Sequence, residues 1–148
     1  MPLTISARRR VACYVLRETA SGPELLVFDH VDVPDAGTQV PAGGLEPGES
    51  VEEAALREVA EETGLTEATV VRRLGVSERP HPDTGAPQHT TYVLMRYDGR
   101  ANEHAAPWTW KVEGAGEDGG MLFRCWFTPL PLDEVTLAGD QDELLSQV

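Results

Sequence analysis

The chain has 148 residues, 41% of them hydrophobic and 25% charged, and its net charge is −13. This balance is typical of one globular domain, whereas a general nucleic-acid binder would need a basic surface. No apolar run approaches the ~20 residues that cross a bilayer, and the run 11–16 is too short for a signal peptide. We therefore expect a single-domain cytoplasmic protein that contacts neither nucleic acid nor membrane.

The N-terminal part of the chain predicts a hairpin followed by a loop. Residues 9–16 and 24–30 are rich in β-branched and aromatic side chains, which favours strands. The sequence Ser-Gly-Pro at 21–23 favours a turn between them. Residues 31–42 contain two prolines and a glycine, so we expect a loop before the central part of the chain.

The C-terminal part predicts alternating strands and loops. Further strands are predicted over 69–76, 89–97, 108–112 and 121–128, and a short terminal helix over 140–147, starting at Asp140. Proline and glycine mark the loops between the strands. This order, with one long helix in the middle, predicts an α/β fold with a mixed sheet and helices packed on it.

Residues 50–63 predict a helix with well-defined ends. Ser50 can cap its N-terminus, and Glu53 three residues later completes a capping box. Gly64 can adopt the left-handed conformation that ends many helices.

Three glutamates of this helix, Glu58, Glu61 and Glu62, share one face when successive residues are placed about 100° apart. Such a face supplies the carboxylate oxygens that hard cations such as Mg²⁺ prefer. A solvated acidic face is the alternative explanation. The other side of the helix carries the residues that we expect to face the core, which are Leu56, Val59 and Thr63.

The segment in front of the helix favours the metal interpretation. Residues 41–48 form a glycine- and proline-rich loop beside a helix N-terminus, which is a favourable place for phosphate. Residues 43–65 carry seven glutamates against one arginine, a net charge of −6. A divalent cation would neutralise this cluster.

The spacing of these residues resembles the Nudix box at every defined position. Gly43 is followed after five residues by Glu49, and after seven more by residues 57–65 (REVAEETGL). The resemblance implies an α/β/α sandwich with a mixed sheet. It also implies water attack on phosphorus in a nucleoside diphosphate linked to another group, with Mg²⁺ or alternatively Mn²⁺ as cofactor. Family members are often dimers, so a homodimer is the assembly to consider.

The resemblance also assigns roles to the box residues. Glu58, Glu61 and Glu62 would bind metal and take part in catalysis. Arg57 would pair with Glu49, which could also reach metal through water.

The glycines and the general base complete these expectations. A backbone carbonyl near Gly43 would add a metal ligand, and Gly44 would shape the substrate-binding loop. The general base is expected to be Glu61 or Glu62, with Glu117 in the loop 113–120 as an alternative.

The identity of the substrate stays open at this stage. Pro80 or Pro82 resembles a proline of ADP-ribose hydrolases. The tyrosine of dinucleoside polyphosphate hydrolases is missing at residues 81–83, and the additional coenzyme A motif is not evident. Sanitisation of oxidised nucleotides stays open as well. Trp108, Trp110 and Tyr14 could stack on a base, although burial is commoner for aromatic residues in strands.

We therefore expect a Mg²⁺-dependent enzyme that hydrolyses a pyrophosphate bond in a small nucleotide, of the ADP-ribose or nucleotide-sugar type or a nucleoside triphosphate. The alternative is a Nudix-fold module that senses a nucleotide without cleaving it. Such modules usually lose box residues, and this box is complete. An isopentenyl diphosphate isomerase would need a cysteine and glutamate arrangement that the sequence lacks.

Overall fold

A computed structural model of the chain describes residues 7–99, 106–114, 116 and 118–148. A mixed sheet and one α-helix form the architecture of these residues. The strands are β1 (Arg8–Thr19), β2 (Gly22–His30), β3 (Ala42–Gly44), β4 (Ala68–Ser77), β5 (Gln88–Tyr97), β6 (Trp108–Lys111) and β7 (Leu122–Pro129), and the helix is α1 (Val51–Thr63). Within the described ranges, no helix combines the length and the apolar character needed to cross a membrane.

The sheet is mixed, as the sequence predicts, because β1 has neighbours of both directions. The strand order is β4-β5-β1-β2-β7-β6, and β3 also pairs with β1. β1 and β2 form the expected antiparallel hairpin, whereas β1 and β5 run parallel. β1 changes partner along its length, since residues 10–12 pair with β3 and residues 16–19 pair with β2. The sheet therefore divides beside the first half of β1.

The ends of α1 follow the prediction. Ser50 Oγ accepts a hydrogen bond from the backbone N–H of Glu53 at 3.0 Å, and Glu53 Oε1 accepts one from the backbone N–H of Ser50 at 3.0 Å. Gly64 follows the last turn with φ of +79°, in the left-handed region. The chain thus enters and leaves the helix at positions that its own residues determine.

The buried face of α1 differs from the predicted one. Val59 and Thr63 are buried as expected, but the prediction for Leu56 is wrong, since 43% of its surface is exposed. The buried residues of α1 form one arc around the helix axis, which is centred near Glu62 and also includes Glu58. Leu56 lies outside this arc because the glutamate face, and not the opposite one, packs toward the sheet.

Two apolar layers hold the sheet in place. On one face, α1 packs through Val51 and Ala55 on a cluster that includes Cys13 and Val93. Cys13 and Cys125 are both buried and free. On the other face, residues 137–145 cover a second cluster around Tyr14 and Tyr92.

The predicted terminal helix over 140–147 is not α-helical. The segment forms two 3₁₀ turns, Ala138–Asp140 and Leu145–Gln147. Gly139 and Asp140 have φ of +60° and +57°, which interrupts any right-handed helix at its expected start. The second helical layer over the sheet therefore consists of short turns.

The predicted loop 31–42 is shorter than expected. It contains a 3₁₀ turn, Pro34–Ala36, and it ends where β3 begins at Ala42. Because β3 consists of one alanine and two glycines, it carries no strand pattern. Pairing with β1 creates the strand and draws the glycine loop to the start of β1.

Candidate active site

A cavity of about 540 Å³ opens where β3 and the start of β1 meet the later turns of α1. Its walls carry opposite charges. The carboxylates of Glu58, Glu61 and Glu62 line one wall, and the guanidinium groups of Arg8 and Arg10 line another. The helix thus brings together the three glutamates that its sequence places on one face.

Glu62 and Glu58 are the buried members of the acidic wall, with 4% and 8% of their surface exposed. Glu62 Oε1 accepts a hydrogen bond from the backbone N–H of Ala42 at 2.8 Å, which ties the helix to β3. Burial raises the pKa of Glu62 well above its usual value, and the neighbouring charge of Glu58 adds to the shift. Burial also raises the pKa of Glu58, against the opposing effect of Arg57. The pair favours uptake of a proton or of another cation.

Arg57 forms hydrogen bonds to Glu49 and to two glutamates of the acidic wall. Its Nε and Nη2 donate to the two carboxylate oxygens of Glu49 at 2.7 and 2.9 Å. Its Nη1 donates to Glu58 at 2.8 Å and to Glu61 at 3.2 Å. The hydrogen bond to Glu49 is the main reason why the pKa of Arg57 is raised, and Arg57 in turn lowers the pKa of Glu49. The structure thus contains the Arg57–Glu49 pair that the Nudix resemblance implies.

Arg57 also fixes the glycine loop. Its Nη2 donates to the carbonyl oxygen of Gly44 at 2.9 Å. Glu49 Oε1 accepts a hydrogen bond from the backbone N–H of Glu46 at 2.9 Å, so the loop is held at two points.

The two glycines of β3 make room for charged side chains. A Cβ on Gly43 would lie 2.3 Å from Glu58 Oε1, and a Cβ on Gly44 would lie 3.0 Å from Arg8 Nη2. Gly43 therefore faces the acidic wall and Gly44 the basic one. A side chain at either position would have to displace the neighbouring charged group.

The basic wall was not predicted from the sequence, where the first strand was expected over 9–16 and its arginines were given no role. Side chains alternate along a strand, so Arg8 and Arg10 share one side, and Arg9 does not line the cavity. Burial and the neighbouring Arg8 lower the pKa of Arg10, against the effect of Glu62 and Glu58. In the described part of the chain, neither guanidinium forms an ion pair or a side-chain hydrogen bond. The signal in the sequence was the Arg-x-Arg alternation before an apolar strand.

Two loops complete the lining. His81 and Pro82 come from the segment between β4 and β5, Gln88 is the first residue of β5, and Asp118 comes from the loop after β6. The charge of Asp118 contributes to the raised pKa of Glu62. Glu117, the loop alternative for the general base, lies outside the described residues.

The three aromatic residues considered for base stacking do not line the cavity. Tyr14 is fully buried on the opposite face of the sheet, where its hydroxyl donates to the carbonyl oxygen of Gln141. Trp108 and Trp110 donate their indole N–H groups to carbonyl oxygens at the end of α1. Each of these three aromatic side chains therefore forms a hydrogen bond within the fold.

Residues that could hold a metal ion are present on the acidic wall, although the carboxylates are not gathered around one point. Among the described residues, no three His, Cys, Asp or Glu side chains form a ready metal cluster. Arg57 bridges Glu58 and Glu61 through one nitrogen. The Glu58 carboxylate occupies the space left by the missing side chain of Gly43, so the Gly43 backbone lies directly beside this carboxylate.

Comparison with known proteins agrees with this geometry. The family model described as "NUDIX domain" matches residues 6–148, and the chain therefore belongs to the NUDIX family. A putative 8-oxo-dGTP diphosphatase of Bacillus subtilis (strain 168) is 44% identical over 57 residues, covering 38% of this chain and 36% of that protein. Human diphosphoinositol polyphosphate phosphohydrolase 3-alpha is 38% identical over 88 residues, covering 60% and 49%. The chain thus spans between about a third and a half of these curated relatives.

Solved structures show the same fold. The NUDIX domain of Shewanella oneidensis NrtR, complexed with ADP ribose, aligns with a TM-score of 0.70 and 17% identity over 97% of this chain and 87% of that one. An Ap4A hydrolase of C. elegans aligns with a TM-score of 0.52 and 23% identity over 62% and 69%. At such identities the likeness concerns the fold alone.

Proposed function

We propose that the chain is a Mg²⁺-dependent hydrolase that cleaves a pyrophosphate bond in a nucleoside diphosphate linked to another moiety. The observation that carries this proposal is the cavity in which Glu58, Glu61 and Glu62 face Arg8 and Arg10. Acidic and basic walls within one cavity suit a phosphate chain that is bound together with a cation. The names of the relatives, a diphosphatase and a phosphohydrolase, support the same reaction class.

The acidic wall is the proposed metal site. Glu58, Glu61 and Glu62 would hold Mg²⁺, or alternatively Mn²⁺, together with a backbone carbonyl near Gly43. When bound, the cation neutralises phosphate charge and lowers the pKa of a coordinated water. Glu58 and Glu62 suit this role because burial raises their pKa values, and a bound cation would stabilise their deprotonated forms.

The protein's own groups would orient the reactants. Arg57 joins α1 to the glycine loop through three hydrogen bonds, to Glu49 and to the Gly44 carbonyl, and donates two more within α1 to Glu58 and Glu61. Glu61 is the better placed of the two box candidates for the general base. Its carboxylate is more exposed than that of Glu62, which is occupied by the backbone N–H of Ala42.

Arg8 and Arg10 would bind the phosphate oxygens on the side of the cavity away from the carboxylates. Their guanidinium groups suit this role because planar N–H donors match phosphate oxygens. His81 Nδ1 accepts hydrogen bonds from the backbone N–H groups of Asp83 and Thr84, so a neutral His81 carries its proton on Nε2. That N–H and the amide of Gln88 add neutral donors to the same cavity. We propose that these four side chains select the substrate.

The test is a substrate panel with Mg²⁺ that covers nucleoside triphosphates, ADP-ribose, nucleotide sugars, NADH, dinucleoside polyphosphates and diphosphoinositol polyphosphates. We expect release of the cleaved products from at least one class. Glu61→Gln and Glu62→Gln should each lower kcat by at least about a hundredfold, because each removes a charged group from the reaction centre. Glu52→Gln is the matched control, since Glu52 lies on the same helix but pairs with Arg73 at the surface.

Two outcomes would count against the proposal. Near-normal activity in both box variants would remove the assigned roles. Tight nucleotide binding by folded, metal-loaded protein without turnover of any panel member would instead support the nucleotide-sensing alternative.

A further inference from the structure

The backbone carbonyl of Glu61 is held by two donors from outside the helix. Trp110 Nε1 donates to it at 2.9 Å, and the backbone N–H of Glu113 donates to it at 3.0 Å. The last four carbonyl groups of an α-helix lack partners within the helix, and the carbonyl of Glu61 belongs to this set. β6 and the residues after it therefore supply the hydrogen bonds that the helix itself cannot.

Close packing strengthens this connection on two sides of Glu61. The ring of Trp110 lies against Gly64, where a Cβ would come within 2.7 Å of Trp110 Cε3. The backbone of Gly114 lies against the side chain of Glu61, where a Cβ would come within 2.8 Å of the carboxylate carbon. Glu61 is thus bound at its carbonyl by Trp110 and Glu113, and the backbone of Gly114 packs beside its carboxylate.

We propose that Trp110 and Gly114 are positioning residues that aim the Glu61 carboxylate into the cavity. The proposal rests on the proposed metal-binding role of Glu61. A ligand side chain on the last turn of a helix moves with that turn, and helix ends fray unless their carbonyl groups are bound. Groups that orient a ligating residue typically change metal affinity or activity by about ten- to a hundredfold when they are removed.

Trp108 provides a matched comparison within the same strand. Its indole N–H donates at 2.8 Å to the carbonyl oxygen of Thr63, two residues beyond Glu61. Thr63 is buried and does not line the cavity. Removing the Trp108 N–H therefore costs a similar hydrogen bond at the end of α1 without releasing a residue of the acidic wall.

The first experiment compares Trp110→Phe with Trp108→Phe in the full chain. Both variants keep an aromatic ring and lose one N–H. For Trp110→Phe we expect Mn²⁺ to bind about tenfold more weakly in the absence of substrate, and kcat to fall by a similar factor with little change in KM. Trp108→Phe should stay within about twofold of the wild type in all three quantities, although both variants lose similar thermal stability. Equal effects of the two substitutions on Mn²⁺ binding would overturn the proposal for Trp110.

The second experiment does not depend on the tryptophan variants folding. Gly114 and Gly120 both have positive φ, at +94° and +84°, but only a Cβ on Gly114 would meet another group within 4 Å. Gly114→Ala should weaken Mn²⁺ binding about tenfold, and Gly120→Ala, with comparable backbone strain, should not. Identical Mn²⁺ affinities would overturn the role of Gly114.

The Mn²⁺ measurement separates this inference from the proposed function. If the wild type binds Mn²⁺ but turns over no substrate, the hydrolase proposal fails, and the positioning proposal is still decided by the two comparisons. If the wild type binds no Mn²⁺, both proposals fail.

Discussion

The backbone of Gly43 lies so close to the side chain of Glu58 that a Cβ at residue 43 would be 2.3 Å from Glu58 Oε1. The φ angle of Gly43 lies outside the left-handed region, so the strand needs glycine here for space and not for conformation. β3 and α1 meet at this contact, and the Glu58 carboxylate occupies the space that a side chain would take.

Gly43→Ala tests this relationship directly. The added methyl group must displace the Glu58 carboxylate. We therefore expect kcat to fall at least tenfold and Mn²⁺ to bind more weakly, because disturbing the orientation of a metal ligand typically changes metal affinity or activity by about ten- to a hundredfold. Steady-state kinetics and Mn²⁺ titration measure the two effects. Gly120→Ala is the control, because a Cβ there meets nothing within 4 Å and Gly120 does not line the cavity. Unchanged kinetics in Gly43→Ala would show that Glu58 can shift without consequence.

The basic wall predicts that substitution of Arg10, but not of Arg9, raises the KM for the substrate. Arg10→Gln should raise KM about tenfold or more, since a hydrogen bond to a charged group contributes about 1.5–3 kcal/mol. Arg9→Gln removes the same charge from the same strand but outside the cavity, so its KM should change little. The measurement is KM for the best substrate of the panel at two salt concentrations. Equal changes in the two variants would indicate a general charge effect instead of a phosphate contact.

The bidentate contact of Arg57 predicts that lysine cannot replace it. Arg57→Lys keeps the charge but loses the planar group that contacts Glu49 through two nitrogens. We expect kcat to fall by roughly ten- to a hundredfold, the range for groups that orient metal ligands, and thermal unfolding to occur earlier. A double-mutant cycle with Glu49→Gln should give a coupling free energy of about 1–2 kcal/mol. Additive effects of the two substitutions would contradict the ion pair as the link between loop and helix.

The raised pKa values of Glu58 and Glu62 predict a specific pH dependence of stability without metal. Both groups hold a proton in the folded state at pH values where they lose it in the unfolded state, above the ordinary value of 4.5. The folded protein is therefore favoured most below that value, and this contribution is lost as pH rises through the raised pKa. Thermal melts in EDTA should show the unfolding temperature of the wild type falling from about pH 5 to pH 8, relative to Glu62→Gln.

Added Mg²⁺ should reverse this loss. A cation that binds only the folded state stabilises it by about 1.4 kcal/mol for each tenfold excess over its Kd. The gain in unfolding temperature at pH 8 should be larger for the wild type than for Glu62→Gln. Parallel pH profiles of the two proteins in EDTA would mean that Glu62 is not the group that titrates.

The local features of the site could be predicted from sequence because they depend on residues close together in the chain. The capping box of Ser50 and Glu53, the helix end at Gly64 and the shared face of the three glutamates follow from helical geometry. Leu56 was misplaced because an apolar side chain was expected to take the core position that Glu62 occupies. A buried carboxylate contradicts the usual preference of charged residues for solvent, and its hydrogen-bond donor, the backbone N–H of Ala42, lies 20 residues away in the chain.

The other parts of the site depend on contacts between distant segments. β3 has no strand pattern of its own and exists because β1 offers hydrogen bonds. The placement of Arg8 in the cavity wall and of Trp110 against the end of α1 could not be predicted, since both follow from how β1 and β6 lie relative to α1. Residues 140–147 contain no proline or glycine. The left-handed conformation of Asp140, which interrupts the predicted helix at its start, therefore could not be predicted either.

The parallel pairing of β1 with β5 sets Arg8 opposite Gln88 and Arg10 opposite Thr90. A slip of one residue in this register would turn Arg9 toward the cavity and both neighbouring arginines away from it. The three glutamates of the acidic wall would keep their places relative to one another, because a single helix carries them. Substitutions in the strand end and the adjoining loop can therefore change the basic wall separately from the helix that carries the three glutamates.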